Sequence, residues 1–306
     1  MIEELDTFRC RRYMDRLAFR ARRMILAAAL IFAATAGAAE EQPRTATVVA
    51  GERYGRPPGG QTWVFGQNYR KLWTTPIDVE VLDLERFASG LTPVMRVGGE
   101  QTKGLAFKGG NGRSYTFRAI DKDLTHVLPD FLRIETLEDV AQDQLSANVP
   151  GVEVVAHPFA RAVGVLEPEA RIVVMPDDPA LGEYRRDFAG VLGTFLEYPQ
   201  PGFEGVSEIQ GHDAFWERRQ SDPWNRADTA AFLRARLLDL FLGDWDRHRG
   251  QWRWARVPDE RFLQPLAEDR DQVFCDFEGL AMTAARATGA QLVTFDPDYP
   301  SIDDGT

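Results

Sequence analysis

Apolar and polar residues alternate from Ile77 to Leu84, with Ile77, Val79 and Val81 on one side, which is the period-2 pattern of a strand. Two further strands are expected at Gly104 to Lys108 and Ser114 to Ile120. The segment joining them, Gly109-Gly110-Asn111-Gly112, contains Asn-Gly, a strong hairpin signal. Thr136-Leu137-Glu138-Asp139 reads as a capping box opening a helix to about Ala147, and Val152 to Ala156 and Arg171 to Met175 read as two more strands. After Phe195-Leu196-Glu197-Tyr198-Pro199 the pattern changes to helix and loop. Asp228 is placed to cap a helix running to about Leu242, with Phe232, Leu233, Leu237, Leu240 and Phe241 at helical spacing.

These elements predict an α+β chain with a small, mostly antiparallel sheet followed by a helical part. Residues 40–75, rich in Pro, Gly and polar side chains, read as a linker and entry strand. Residues 76–198 form the sheet-bearing part and 199–306 the helical part.

The N-terminus changes the picture. Seven Arg between Arg9 and Arg23 precede the apolar run Ile25 to Ala36, and Gly37-Ala38-Ala39 follows. A basic region, a short apolar stretch and small residues are the parts of a secretory signal, which assigns residues 1–39 as a signal peptide and the chain to the periplasm or cell envelope. The run is shorter than the roughly 20 apolar residues of a membrane span; an uncleaved anchor is the alternative, and Met14 or Met24 are alternative starts. Removing residues 1–39 takes away seven Arg and four acids, so the net charge of −11 becomes −14. That acidity disfavours a nucleic-acid partner, which needs a basic face. Cys10 leaves with the leader and Cys275 then stands alone, so no internal disulfide is expected. His126, His157, His212 and His248 lack the paired spacing of a zinc site.

Two polar segments carry the candidate chemistry. The first, Asp244-Trp245-Asp246-Arg247-His248, directly follows the apolar helix, with Gln251 and Trp252 just beyond. The second, Leu266 to Phe274, sets Asp269 and Asp271 two residues apart. On an extended chain that spacing turns both carboxylates to one side, where they can share a divalent cation. A surface loop and an acidic turn are the plain structural readings of the same residues.

This arrangement resembles divergent protein-kinase-like folds, such as the type II phosphatidylinositol 4-kinases, the secretory-pathway kinases and the spore-coat kinases. These place an Asp-Arg-based loop after an apolar helix and a metal-binding Asp some 20 residues later. The resemblance covers roughly residues 77–280 and implies a two-lobed fold, with an antiparallel-sheet N-lobe and a helical C-lobe. By that resemblance Asp246 orients and deprotonates an acceptor hydroxyl, while Asp269 and Gln251, with Asp271 as auxiliary ligand, hold Mg²⁺ or Mn²⁺ on the phosphates of ATP. Arg118, or Lys122 nearby, takes the place of the phosphate-binding Lys, and Asp143 is its helix partner. No Gly-x-Gly-x-x-Gly segment is present. Only residues 270–306 follow Asp269, and a truncated or split C-terminal part is expected.

The chain also resembles a family of exported bacterial proteins in which such a segment sometimes accompanies a metallophosphoesterase or an outer-membrane barrel. The matching pieces are Leu91-Thr92-Pro93, Gly98 to Thr102, Asp121-Lys122-Asp123, Asp143-Gln144, Gly243 to His248 and Asp269 to Phe274. That resemblance implies envelope or outer-membrane association and supplies no activity. The expectation is therefore a metal-dependent phosphotransferase of the envelope with an unidentified acceptor. Its rival is a catalytically inactive nucleotide- or partner-binding module of the same fold. A metal-dependent hydrolase using the same acids is a third reading.

Overall fold

The computed structural model describes residues 43–98, 103–124 and 135–287. The chain divides into two units, Met1–Pro43 and Arg44–Thr306. All but Pro43 of the first lies outside the described residues, as do the expected signal peptide and residues 99–102. Among the described residues no helix is long and apolar enough to cross a membrane.

The second unit opens with β1 (Thr45–Val48), short helices α1 (Thr62–Phe65) and α2 (Arg70–Thr74), then β2 (Ile77–Val81) and β3 (Leu91–Val97). The hairpin β4 (Gly104–Gly109) and β5 (Ser114–Ala119) follows. Next come α3 (Glu135–Asp143), α4 (Val152–Ala162), β6 (Ala170–Val174), the short α5 (Arg185–Phe188) and β7 (Leu192–Glu197). The seven strands form one sheet in the order β1-β2-β6-β7-β5-β4-β3. All its pairings are antiparallel except β2 with β6. Beyond the connection at Tyr198-Pro199 lie β8 (Glu208–Gly211), α6 (His212–Ser221), α7 (Thr229–Leu242), β9 (Trp252–Arg256), β10 (Gln264–Ala267) and α8 (Leu280–Ala287). β8, β9 and β10 make a separate three-stranded sheet. The order of hairpin, helices, two strands, connection, helix, acid loop and acid pair follows the α+β order of elements expected from the sequence.

Residues 44–75 supply a strand, β1, as the expected entry strand would, but the rest is not a linker: Tyr54, Arg70 and Trp73 are buried. The Tyr54 and Trp73 rings lie 4.5 Å apart, and Trp73 Nε1 donates to the Asn148 carbonyl at 2.9 Å. The Pro- and Gly-rich spacing thus reflects short turns wrapped on a core, not a free tether.

Val152 to Ala156 also differs: it is helical and opens α4. Val152, Ala156 and Ala160 are buried at a spacing of four residues and pack with Ala235, Leu238 and Leu242 of α7. The β-branched residues mimic a strand in sequence, but the buried face repeats every turn.

α7 begins at the expected cap, Asp228, whose carboxylate accepts from the Ala230 and Ala231 amides at 3.0 and 2.9 Å. Its inward face is Ala231, Ala235, Leu238, Asp239 and Leu242. The apolar positions Leu233, Leu237 and Phe241 instead face outward, 59%, 54% and 64% exposed.

Gly193 of β7 fixes the spacing beside β5. A Cβ there would lie 2.3 Å from the Phe117 ring and 2.5 Å from the Arg118 carbonyl oxygen. Gly193→Ala should therefore destabilise the chain by about 1–3 kcal/mol, the usual cost of overpacking. A urea or thermal unfolding curve indistinguishable from wild type would show that the strand yields freely at this point.

Candidate functional site

α7 ends at Gly243, in the left-handed conformation at φ 67°, and the Asp244 amide returns to the Asp239 carbonyl at 2.9 Å. This stop delivers Asp244 to Gln251 as a fixed loop. Asp239, Asp244, Arg247 and Arg270 are all essentially buried. Asp239 accepts from Arg270 Nη1 at 2.6 Å and Arg236 Nη1 at 2.9 Å, and its other contact is Arg247 Nε at 3.4 Å. Asp244 Oδ2 accepts from Arg247 Nη2 at 2.5 Å and Arg270 Nη1 at 3.3 Å. Arg270 also pairs with Glu167. Burial pushes the Asp244 carboxyl above the ordinary carboxylate range, against the pull of Arg247. Arg247 lies 5.4 Å from the Trp252 ring centroid. The Arg of the loop and the Arg between the two acids are thus interior braces that hold both polar segments in register.

The residues held by these braces line a cleft of about 450 Å³ between the sheet and the second lobe. Its walls include Val97 and Ala106 from the sheet, Leu196, Tyr198 and Pro199 at the connection, and Asp269 at the inner end. Arg118 of β5 reaches across to Asp269 Oδ2 at 3.0 Å. The second oxygen, Asp269 Oδ1, is buried without a hydrogen-bond partner. Asp246 is half-buried, and burial pushes its carboxyl up. His248 opposes that shift and the nearby charge of Asp269 adds to it, so the two acids lie within electrostatic reach of one another. Lys122 pairs with Asp271 beside them.

Two expected residues are employed differently. Asp143 does not meet Arg118 or Lys122: it is buried against Arg70, with two contacts of 2.7 Å from Nη1 and Nη2. The acid that faces the cleft cations is Glu153, in the first turn of α4. Burial pushes its carboxyl up, and Lys122, Asp269 and Arg118 are its charged neighbours. Reading Val152–Ala156 as a strand hid this residue. The four-residue repeat Val152, Ala156, Ala160 was the available signal.

Gln251 is buried, and its Oε1 accepts from Arg247 Nη1 and the His248 amide, both at 3.4 Å. The oxygen expected to ligate metal is thus turned into its own loop. Among the described residues no group of three His, Cys, Asp or Glu converges as a metal site. Asp271 is held by Lys122, and Asp269 Oδ1 is the oxygen left over. That fits Mg²⁺ or Mn²⁺ of the kind that takes one or two carboxylates and fills its shell with phosphate oxygens and water. It does not fit an all-protein cage.

No family model matches the chain, and no curated protein matches it significantly. Among solved structures it is similar to a Helicobacter pylori proinflammatory kinase, CtkA, at 13% identity and a TM-score of 0.32. The match covers 59% of this chain and 56% of that one, so it spans little more than half of either. Likeness of that degree assigns neither fold nor activity.

Asp143 therefore belongs to the scaffold. Asp143→Ala should cost about 3–5 kcal/mol, because it strands the buried Arg70 guanidinium. Chemical denaturation measures this. Near-wild-type stability joined to lost ligand binding would instead return Asp143 to the site.

Proposed function

We propose that the chain is a kinase-like phosphotransferase that moves a phosphoryl group from a nucleoside triphosphate such as ATP to a hydroxyl acceptor, assisted by Mg²⁺ or Mn²⁺. The observation that carries this reading is the Arg118–Asp269 pair in the wall of the cleft, with Asp246 within electrostatic reach of Asp269 and one Asp269 oxygen buried and unbonded. When bound, the metal supplies neutralisation of phosphate charge, and Asp269 is the residue to hold it. Phosphoryl transfer asks the protein mainly for positioning and charge neutralisation. Arg118 supplies a planar cation for phosphate oxygens, with a geometry unlike that of a Lys. Asp246 supplies a carboxylate whose raised pKa suits it to accept a hydroxyl proton. The apolar walls at Val97, Ala106 and Leu196 suit a flat base.

The reading includes export to the periplasm or envelope, supported by the basic, apolar and small-residue order of residues 9–39. N-terminal sequencing of protein from the envelope fraction tests that part. A nucleotide-binding module without transfer is the second reading, and the inward turn of Gln251 Oε1 favours it.

The two acids separate the readings. Asp269→Ala should weaken nucleotide binding in the presence of Mn²⁺, read by calorimetry. Asp246→Asn should leave that binding nearly intact and lower turnover about 10²- to 10⁴-fold in a labelled-phosphate assay. The base acts deprotonated, so turnover should fall as pH drops through the raised Asp246 pKa, above the ordinary aspartate range, and Asp246→Asn should remove that limb. Binding without turnover in the wild type supports the module. A folded protein that binds no nucleotide with metal present overturns both.

A further inference from the structure

Two ion pairs cross from the β5 segment to the acid loop, and they differ in access to the larger cleft, in exposure and in anchoring. Arg118 and Asp269 both line the 450 Å³ cleft, and their side chains are 37% and 28% exposed. Lys122 and Asp271 are absent from that lining. They border only a small hollow of about 30 Å³ beside the first turn of α4, which Arg118 and Asp269 also line, and their side chains are 18% and 17% exposed.

The anchoring differs too. The Lys122 carbonyl accepts from Gln142 Nε2 at 2.7 Å; that amide also donates to the Tyr54 hydroxyl at 2.7 Å, and Gln142 Oε1 accepts from the Leu124 amide at 2.9 Å. On the other side, Asn148 Nδ2 donates to the Asp271 carbonyl at 3.3 Å, and Trp73 Nε1 holds the Asn148 carbonyl. Both ends of the Lys122–Asp271 pair are therefore tied to buried scaffold. Arg118–Asp269 faces the space a ligand would fill, with Asp269 Oδ1 free.

Building on the phosphotransferase reading, we propose that the pairs divide the work: Lys122 and Asp271 are positioning residues that hold the acid loop at a fixed distance from β5, whereas Arg118–Asp269 is an exchangeable pair that opens only when phosphate and metal arrive together. Each partner neutralises the other in the free protein. A cation alone at Asp269 Oδ1 must share the carboxylate with the Arg118 guanidinium on Oδ2 and bear its repulsion, or displace it and leave it uncompensated. A polyphosphate alone must draw Arg118 away and leave the carboxylate facing the phosphates. The metal–nucleotide complex replaces both partners at once. The ligand class is thus the metal complex of a nucleoside triphosphate, bound with positive coupling between its two parts. Coupling of this kind is reciprocal.

Calorimetry on the full chain tests the division with three titrants: Mn²⁺ alone, ATP with EDTA, and ATP with saturating Mn²⁺. In the wild type the first two should bind weakly, and metal should tighten nucleotide binding about tenfold or more. Arg118→Gln should tighten Mn²⁺ alone by about fivefold, the scale of a partly exposed ion pair, and reduce the coupling. Lys122→Met should not tighten Mn²⁺ alone and should weaken binding of the complex, with Lys122→Arg restoring it.

Equal Mn²⁺ affinity in wild type and Arg118→Gln overturns the proposal. So does tightening by Lys122→Met to match Arg118→Gln. If Lys122→Met does not fold, as a melting curve would show, the Arg118 comparison decides alone. Nucleotide that binds equally well with and without metal also overturns the proposal, while leaving nucleotide binding itself intact. A wild type that binds no ATP under either condition defeats the phosphotransferase reading, and the Mn²⁺ titrations still decide whether Arg118 blocks Asp269.

Discussion

The structure depends on a cluster of charges placed where charges are costly. Glu167, Asp239, Asp244, Arg247 and Arg270 lie in the interior and are joined by direct contacts. Removing such groups from water costs several kcal/mol each, and their mutual attraction offsets this only when geometry and hydrogen bonding are good. The cluster gains by linking parts that nothing else links: the middle of α7, the loop after it, the residue between the two acids, and the segment before β6. Asp246 and Asp269 are adjacent in sequence to Arg247 and Arg270. Each acid of the cleft is therefore one peptide unit from a guanidinium that cannot move without exposing a buried charge.

Local signals made part of this legible in the sequence. Asp228 as a cap, the Asn-Gly hairpin between β4 and β5, and the alternation in β2 are decided by neighbours within a few residues, and each appears where expected. Asp246, Asp269, Arg118 and Lys122 were legible as charged residues, and they lie within electrostatic reach of one another: Arg118 pairs with Asp269, and Asp269 and Lys122 both act on Asp246. What escaped depended on distant partners. Whether Asp143 or Glu153 faces the cleft is set by Arg70, 73 residues upstream of Asp143, and by α4 being a helix. The apolar spacing of α7 did not tell which side faces inward, for a related reason. Small residues and Asp239 go inside because α4 and Arg270 approach closely there, whereas Leu233, Leu237 and Phe241 face outward.

The same economy of partners explains why Gln251 departs from the role its position implied. Its Oε1 helps to hold the turn after His248, so the loop's rigidity and the supply of a metal ligand compete for one oxygen. The chain favours rigidity. Under the phosphotransferase reading proposed above, a metal would be left to Asp269 and to the oxygens of a bound phosphate, and the site would be completed by its ligand.

The outward Leu233, Leu237 and Phe241 have a consequence for how the chain behaves in water. They recur every fourth residue along α7, and Phe241 lies 6.1 Å from Phe159 of α4, itself partly outward. α4 and α7 contribute Arg161 and Arg234 at the surface, while their only acids are Glu153, facing the cleft, and the buried Asp239. Each large apolar side chain left in solvent forgoes about 1.5–3 kcal/mol. On a chain whose overall charge is strongly negative, this face is apolar and bordered by Arg161 and Arg234, with Asp228 at the start of α7 within electrostatic reach of Arg234. Contact along this flank would remove apolar surface from water, so attraction between molecules there works against the repulsion set by net charge.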